Sequence, residues 1–310
     1  MLYPAHEGFF APARDRSQLW RLGVGVVLAF VVWQLGASVI ILATGYANGG
    51  MATLQEMQLV VAQGTHASQY TLAAEILYGL TPTFALFHLA GFVSLWLGVW
   101  ATARLLHRRS LLSLMGSLPQ GLRDFGTALL VAAPILAVSF VIPPRVATDP
   151  GLDLNIWITF LPMSLAMVLV QTGAEEVFFR GYIQQQLAAR FRAPLVWMVL
   201  PSIAFGLLHV ATYGHLGANV WAIVIYISAI GIMAADLTAR TGSIGAAWGF
   251  HFINNALTLL LVTMDGPLSG LALFLIPDSS LPDGLFRLIV LRDAAIIAAI
   301  WLILRRVLRR

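Results

Sequence analysis

Long apolar runs, each able to cross a membrane as a helix, constrain this chain more than any other feature. Such a crossing needs about 20 mostly apolar residues, and every backbone N–H and C=O inside the bilayer must be hydrogen-bonded. The runs number about eight by this length criterion. We therefore predict an all-α fold, a polytopic transmembrane helix bundle with spans at 20–44, 80–103, 124–143, 157–178, 194–212, 217–237, 243–264 and 285–304. The polar to mixed segment from Gly45 to Tyr78 is predicted to be an external loop with some helix.

Composition supports the membrane interpretation and removes several kinds of chemistry. The chain is 59% hydrophobic and only 10% charged, whereas soluble domains carry about 25% charged residues. No polar stretch is long enough for a separate hydrophilic domain. The cysteine count is 0, which excludes disulfides, thiolate catalysis and cysteine metal sites.

Arginine placement predicts the orientation. Cytoplasmic loops of membrane proteins carry an excess of basic residues. Arginines precede span one, follow spans two, four and six and end the chain, whereas the alternate loops have few. The arginines in these predicted cytoplasmic regions are Arg14, Arg16, Arg21, Arg104, Arg108, Arg109, Arg123, Arg180, Arg190, Arg192, Arg240, Arg305, Arg306, Arg309 and Arg310. We predict both termini in the cytoplasm. The sequence pI of 9.8 does not indicate nucleic acid as a partner, because the arginines lie at span ends and form no basic face.

Two adjacent glutamates near the end of an apolar run are the first candidate site. A charged side chain at the bilayer centre costs roughly 2.5–3.5 kcal/mol on insertion scales, so it is kept mainly where it functions. Glu176 and Arg180 are four residues apart and share one helix face, whereas Glu175 points about 100° away. Two neighbouring carboxylates cannot both ionise easily in a low dielectric, which suits one of them for taking a proton from water. The alternative is a pair of span-end glutamates with an anchoring arginine.

Two later polar pairs have the same one-turn spacing. Phe205 lies one turn before His209, and His251 lies one turn before Asn255. His251 and Asn255 can together donate two hydrogen bonds to a developing oxyanion. The alternative for each pair is structural hydrogen bonding between helices, which is common for His and Asn in spans. The adjacent Asn254 is interpreted as a packing residue.

Taken in order, the motifs E-E-x-x-x-R, F-x-x-x-H and H-x-x-x-N resemble those of a known family. They read Glu175-Glu176-Val177-Phe178-Phe179-Arg180, Phe205-Gly206-Leu207-Leu208-His209 and His251-Phe252-Ile253-Asn254-Asn255. This is similar to the CPBP family of intramembrane proteases, which includes the CAAX prenyl endopeptidases and bacterial Abi-like relatives of the glutamic type. The resemblance covers about residues 120–265 and is closest to the bacterial members.

The resemblance implies a role for each matched residue. Glu175 would be the general base on a water, assisted by His209, and His251 with Asn255 would form the oxyanion hole. Glu176 and Arg180 would shape and polarise the site, and Phe205 would position His209. It also implies a hydrolase without a cofactor, in a bacterial cytoplasmic (inner) membrane, acting on a peptide or membrane-protein tail.

The same resemblance organises the chain into three parts. Residues 1–123 would hold N-terminal spans and a loop, 124–265 the CPBP-like catalytic core, and 266–310 an external loop and the C-terminal span. The polar cavity is expected between spans four, five and seven. Arg180 lies at the predicted cytoplasmic end of span four, whereas His209 falls near the far end of span five. We therefore expect a cavity that opens to the cytoplasm and reaches well into the bilayer, with Pro201 as a break in span five.

Two other functions stay open from the sequence. Glu175, His209 and His251 supply a His₂Glu donor set for zinc, as in metalloproteases, although H-E-x-x-H is absent. A non-catalytic bacteriocin-immunity, scaffold or transport protein would use the polar cluster for ion or proton passage, but no internal repeat supports a transporter. Neither the physiological substrate nor the oligomeric state is readable from the sequence.

Overall fold

The prediction of an all-α membrane bundle is confirmed. The computed structural model describes residues 3–63, 71–139, 146–277 and 281–308. The α-helices are α1 Pro4–Phe10, α2 Leu19–Gln63, α3 Leu72–Tyr78, α4 Pro82–Ala90, α5 Phe92–His107, α6 Leu118–Ser139, α7 Leu154–Glu176, α8 Gln185–Ala188, α9 Leu200–Leu208, α10 Val210–Tyr213, α11 Val220–Thr241, α12 Gly245–Leu260 and α13 Asp283–Val307. Short 3₁₀ helices cover Ala11–Arg16, Leu111–Leu114, Gly214–Asn219 and Ser269–Leu271, and π-helices cover Val177–Gln184 and Leu195–Val199.

A small sheet, absent from the prediction, closes one end of the bundle. Its strands are β1 Asp149–Pro150, β2 Val262–Met264 and β3 Phe274–Ile276, in the order β1-β3-β2. β3 is antiparallel to β1 and parallel to β2. β2 occupies the end of the apolar run that we predicted to be helix up to residue 264, because a short apolar segment rich in β-branched residues cannot be assigned by periodicity alone.

Six helical segments in the described part of the chain are long and apolar enough to cross a membrane. They are 19–62, 82–107, 118–139, 154–188, 195–213 and 216–241. The two remaining predicted spans correspond to α12 and α13. α12 has 16 residues, about 24 Å of rise, which is shorter than the hydrocarbon core. α13 carries several charged residues along its length, so the count of about eight spans stays a prediction.

The segment Gly45–Tyr78 contains more helix than predicted. α2 runs to Gln63 and bends at Gly49 and Gly50, where Gly50 adopts a positive φ of 62°. That conformation favours glycine because it has no Cβ. After the bend the helix folds back, and Met57 comes against Gly45. Residues 64–70 lie outside the described part.

The helix that carries Glu175 does not end at residue 178 as predicted. α7 continues through the π-helix 177–184 into α8, so that the glutamates lie inside a helical segment of 35 residues. Three glutamines that lie beyond the predicted end are buried, and each makes a polar contact: Gln184 with His6, Gln185 with Leu114 and Gln186 with His107. A π-helical segment widens the turn and is frequent at functional sites.

One end of the bundle is rich in arginine, and we call it the Arg-rich end. Arg16 and Arg21 both donate to the Leu106 carbonyl at the end of α5. Asp236, near the end of α11, pairs with Arg240 and with Arg305 near the end of α13. The N-terminus joins this end through Tyr3 and His6. Burial and the hydrogen bond to Asp236 raise the pKa of Tyr3 to about 12, and burial lowers the pKa of His6 to about 4.

The opposite end carries the sheet, and we call it the sheet end. Trp157, near the start of α7, donates to the Leu260 carbonyl at the end of α12. Asn219, just before α11, donates to Asp283 at the start of α13. α6, α9 and α12 therefore run from the Arg-rich end towards the sheet end, and α11 and α13 run back.

Close helix contacts at small residues position the elements of the site. A Cβ on Gly206 of α9 would lie 2.2 Å from Ser228 Oγ and 2.6 Å from the Val224 carbonyl of α11. A Cβ on Gly249 of α12 would lie 2.5 Å from the Phe125 carbonyl of α6. Small residues allow such backbone approach inside membranes. They allow α9 to pack closely against α11, and α12 against α6, which fixes the positions of His209 and His251 in the bundle.

Candidate functional site

Glu176, Arg180 and His251 form the buried centre of the site. Arg180 Nη1 donates to Glu176 Oε1 at 2.9 Å, within the predicted one-turn pair. The same carboxylate oxygen lies 2.8 Å from His251 Nδ1 on α12. The side chains of Glu176 and Arg180 are 0% and 3% exposed, so this ion pair is shielded from solvent. Arg180 also donates to the Gly231 carbonyl of α11 at 3.2 Å, which ties three helices together.

Glu175 lies on the other side of the His251 ring. Its Oε2 is 3.5 Å from His251 Nε2, and its side chain is 11% exposed. The imidazole thus lies between two carboxylates, with Nδ1 towards Glu176 and Nε2 towards Glu175. Within the described residues, Glu175 Oε2 is buried and makes no hydrogen bond. A buried carboxylate oxygen in this position can accept a proton or a hydrogen bond from a bound molecule.

His209 joins the cluster through Phe205. Its Nδ1 lies 2.9 Å from the Phe205 carbonyl one turn before it. The other ring nitrogen, Nε2, is therefore left to contact a bound molecule. The Phe205 ring contacts His209 edge-on at 5.0 Å and His251 at 5.9 Å between centroids. It also lies 5.2 Å from the Arg180 guanidinium. One aromatic ring therefore separates both imidazoles and orients them.

Asn255 is held by a residue that the sequence motifs did not identify. Its Nδ2 donates to Gln171 Oε1 at 3.1 Å, and its Oδ1 accepts from Asn254 at 3.2 Å. Gln171 lies one turn before Glu175 on α7, so the glutamine, both glutamates and the arginine extend along one stretch of helix. The signal in the sequence is a glutamine inside an apolar run, four residues before a glutamate and therefore on the same helix face. Asn254 lines the cavity described below and is more than a packing residue.

A cavity of about 700 Å³ connects the two imidazoles with the sheet end. Phe205, His209, His251, Asn254 and Asn255 line its deep part. Towards the sheet end its walls come from α11, α13, β2 and β3. The prediction placed the cavity between spans four, five and seven. Among the described residues no side chain of span four lines it, because Glu175 and Glu176 lie behind His251.

The predicted opening to the cytoplasm stays a prediction, and the position of the cavity conflicts with the orientation that the arginines predict. The cavity is lined by Ser139 at the end of α6, Tyr213 at the end of α10 and Val262 of β2, all at the sheet end. The arginines that predict the cytoplasmic side lie at the other end. The apparent conflict between Arg180 and His209 arose from ending span four too early. Pro201 is the second residue of α9, directly after the π-helix Leu195–Val199, so it lies where the helix type changes inside one continuous helical segment, 195–213.

The three predicted zinc donors do not form a metal-binding set. Across residues 3–63, 71–139, 146–277 and 281–308, no group of three His, Asp or Glu side chains is arranged to hold a metal ion. Both His251 nitrogens face carboxylates, and Nδ1 of His209 faces a backbone carbonyl.

Comparison with known proteins supports the motif resemblance. The family model described as "Type II CAAX prenyl endopeptidase Rce1-like" matches residues 157–257, a segment that contains every predicted site residue. The uncharacterized protein YyaK of Bacillus subtilis (strain 168) is 30% identical over 141 residues, which cover 46% of this chain and 47% of YyaK. The match thus spans about half the length of that relative. No solved structure matches the chain significantly. The resemblance predicted from the three motifs is confirmed over residues 157–257, which match the Rce1-like family of type II CAAX prenyl endopeptidases.

Proposed function

We propose that this protein is an intramembrane endopeptidase that hydrolyses a peptide bond near a C-terminal or membrane-proximal tail with a water activated by Glu175. The observation that carries the proposal is the imidazole of His251, held between the carboxylates of Glu175 and Glu176 beside a deep cavity. Two imidazoles and an amide line this cavity, and the base lies directly behind the His251 ring. The match of residues 157–257 to the Rce1-like family supports peptide hydrolysis.

In the proposed mechanism Glu175 takes a proton from a water near its buried Oε2, and His209 orients that water through Nε2. The water oxygen bonds to the scissile carbonyl carbon and the carbonyl oxygen becomes an oxyanion. Asn255 Nδ2 and His251 donate hydrogen bonds to the oxyanion, and such donors act most strongly in a site that excludes water. The C–N bond then breaks, and the proton held by Glu175 passes to the leaving amine nitrogen. No covalent intermediate forms.

Glu176 and Arg180 act as positioning residues in this proposal. The Glu176 carboxylate fixes Nδ1 of His251, which leaves Nε2 directed towards Glu175 and the reacting atoms. Arg180 offsets the negative charge of Glu176 in the low dielectric of the bundle. The pair lets one carboxylate orient the imidazole while the other works as the base.

The first test is hydrolysis of a fluorogenic library of prenylated, lipidated and unmodified peptides by the purified protein in lipid vesicles. We expect cleavage that chelators leave unchanged, because the proposed base acts on water directly. Cleavage that a chelator abolishes and zinc restores would make the protein a metalloenzyme. A folded protein that cleaves none of the peptides would instead favour the immunity, scaffold or transport alternative.

We further propose that the substrate tail enters from the non-cytoplasmic side. The support is the position of the cavity at the sheet end, opposite the arginines that predict the cytoplasmic face. An exported or membrane-anchored tail would satisfy this geometry, whereas a tail exposed only in the cytoplasm would not.

Cysteine labelling tests this orientation, because the natural chain contains 0 cysteines. Asp265→Cys places a thiol on an exposed residue next to β2, and Arg190→Cys places one on an exposed residue at the Arg-rich end. A membrane-impermeant maleimide added to intact cells is expected to label residue 265 and to spare residue 190 until the cells are lysed. The reverse pattern would restore the predicted cytoplasmic opening.

A further inference from the structure

The edge of β2 borders the cavity and is unpaired. The sheet order β1-β3-β2 places β2 at an edge, and no strand in the described part of the chain pairs with its outer side. Four consecutive residues, Leu261 to Met264, line the cavity. Successive side chains of a strand point to opposite faces, so contact with all four means that the cavity meets the edge of this strand. β3, in contrast, lines the cavity only with Phe274 and Ile276, two residues of the same face.

The hydrogen-bonding groups on that edge follow from the register. The Leu261 carbonyl accepts from the Phe274 amide, and the Asp265 amide donates to the Ile276 carbonyl, so both groups face β3. Backbone groups of a strand alternate between its two sides. The N–H and C=O of Val262 and Met264 therefore face away from β3, towards the cavity. They form a row of donors and acceptors that an extended chain can pair with.

We propose that this edge of β2 binds the backbone of the substrate as an added strand. The inference rests on the proposed peptidase function and names the substrate conformation: an extended peptide segment. α12 connects His251 directly to the β2 edge, since β2 begins 11 residues after His251. That separation is about 16 Å of helix, which an extended peptide spans in about five residues. The scissile bond would lie beside His251 while residues about five positions away pair with β2.

The composition of the cavity fits an extended peptide. Most of its lining is apolar, with Ile223, Ile227 and Ile289 among the walls between the imidazoles and the sheet. Buried backbone groups of a bound peptide need hydrogen-bond partners in such surroundings. Of the walls described here, the β2 edge supplies these partners at the spacing of a strand, which is the mode of β-strand addition.

The test is binding of N-methylated peptides to the Glu175→Gln protein, in which cleavage is blocked. The probe is a fluorescein-labelled peptide of about twelve residues that ends in a farnesylated cysteine and three aliphatic residues. Single N-methyl groups are placed at successive residues along it. Removing one backbone hydrogen bond is expected to raise Kd about 3- to 10-fold at every second residue about five positions from the scissile bond, and to leave the residues between unchanged.

A protein variant provides the complementary test. Met264→Pro removes the outward N–H, which would donate to a peptide carbonyl, without removing a bond to β3, and is expected to raise Kd by the same factor. The N-methyl pattern should persist in this variant, because the peptide N–H groups pair with the carbonyls of Val262 and Met264, which the proline leaves in place. Met264→Leu changes the side chain, keeps the N–H and is expected to bind like the parent. The midpoints of thermal unfolding of the two variants in detergent should be equal. A difference in Kd between them is then an effect on binding and not on folding.

The outcomes distinguish this inference from the proposed function. Uniform or absent N-methyl sensitivity, or no binding at all, would overturn strand addition. If wild type cleaves the probe without the alternating pattern, the peptidase proposal stands and only the docking inference fails. If the pattern appears but wild type cleaves nothing, the edge binds peptide and the proposed hydrolysis fails.

Discussion

Glu175→Gln is expected to lower peptide hydrolysis by roughly 10²–10⁴-fold, because a general base contributes about that factor. The amide cannot take a proton from water, yet it keeps the size of the carboxylate and can still contact His251 Nε2. Peptide binding should persist, so the loss is expected in kcat and not in KM. Initial rates over a range of peptide concentrations, with the protein in vesicles, give both constants.

Glu56→Gln is the matched control for this prediction. It makes the same change on α2, outside the family-matched segment and away from the cavity, and should leave hydrolysis unchanged. His209→Ala should also lower kcat, but by less, because His209 assists the base and does not replace it. If Glu175→Gln retained full activity while His209→Ala or Asn255→Ala abolished it, the base would have to be another residue.

The one-turn motifs predicted the core of the site because their geometry is local. Residues four apart on a helix must share a face, and thus Glu176 with Arg180 and Phe205 with His209 meet as the spacing requires. The contact between His251 and the two glutamates joins residues about 75 positions apart. The sequence placed these residues in one site only through the family resemblance.

Other features depended on interactions that the sequence does not display. Gln184, Gln185 and Gln186 are typical of a helix end in water, but tertiary contacts bury them and the helix continues. The prediction of a cytoplasmic opening depended on that boundary, because ending span four at residue 178 placed Arg180 at the membrane surface. β2 lies in an apolar run, where helix and strand share the same composition.

Arg180→Met is expected to destabilise the protein by about 3–5 kcal/mol, the usual effect of leaving a buried charge without its partner. The Glu176 carboxylate is 0% exposed, so water cannot replace the guanidinium. The loss also removes the donor to the Gly231 carbonyl and the cation over Phe205. Thermal unfolding in detergent should show a lower midpoint, and hydrolysis should fall because His251 and Phe205 lose their support.

The double variant Glu176→Gln with Arg180→Met decides whether charge is the cause. Removing both charges eliminates the unpaired carboxylate, so the double variant should be more stable than Arg180→Met alone although it carries one more substitution. Arg190→Met, an exposed change at the Arg-rich end, should leave the midpoint unchanged. If the two losses simply add, Arg180 stabilises the bundle through packing and its bond to Gly231, and the buried ion pair is not what holds the imidazole of His251 in place. Recovery of stability without recovery of hydrolysis would show that hydrolysis needs the charged pair of Glu176 and Arg180 and not only a stable bundle, since glutamine at position 176 keeps the shape of the side chain and loses only its charge.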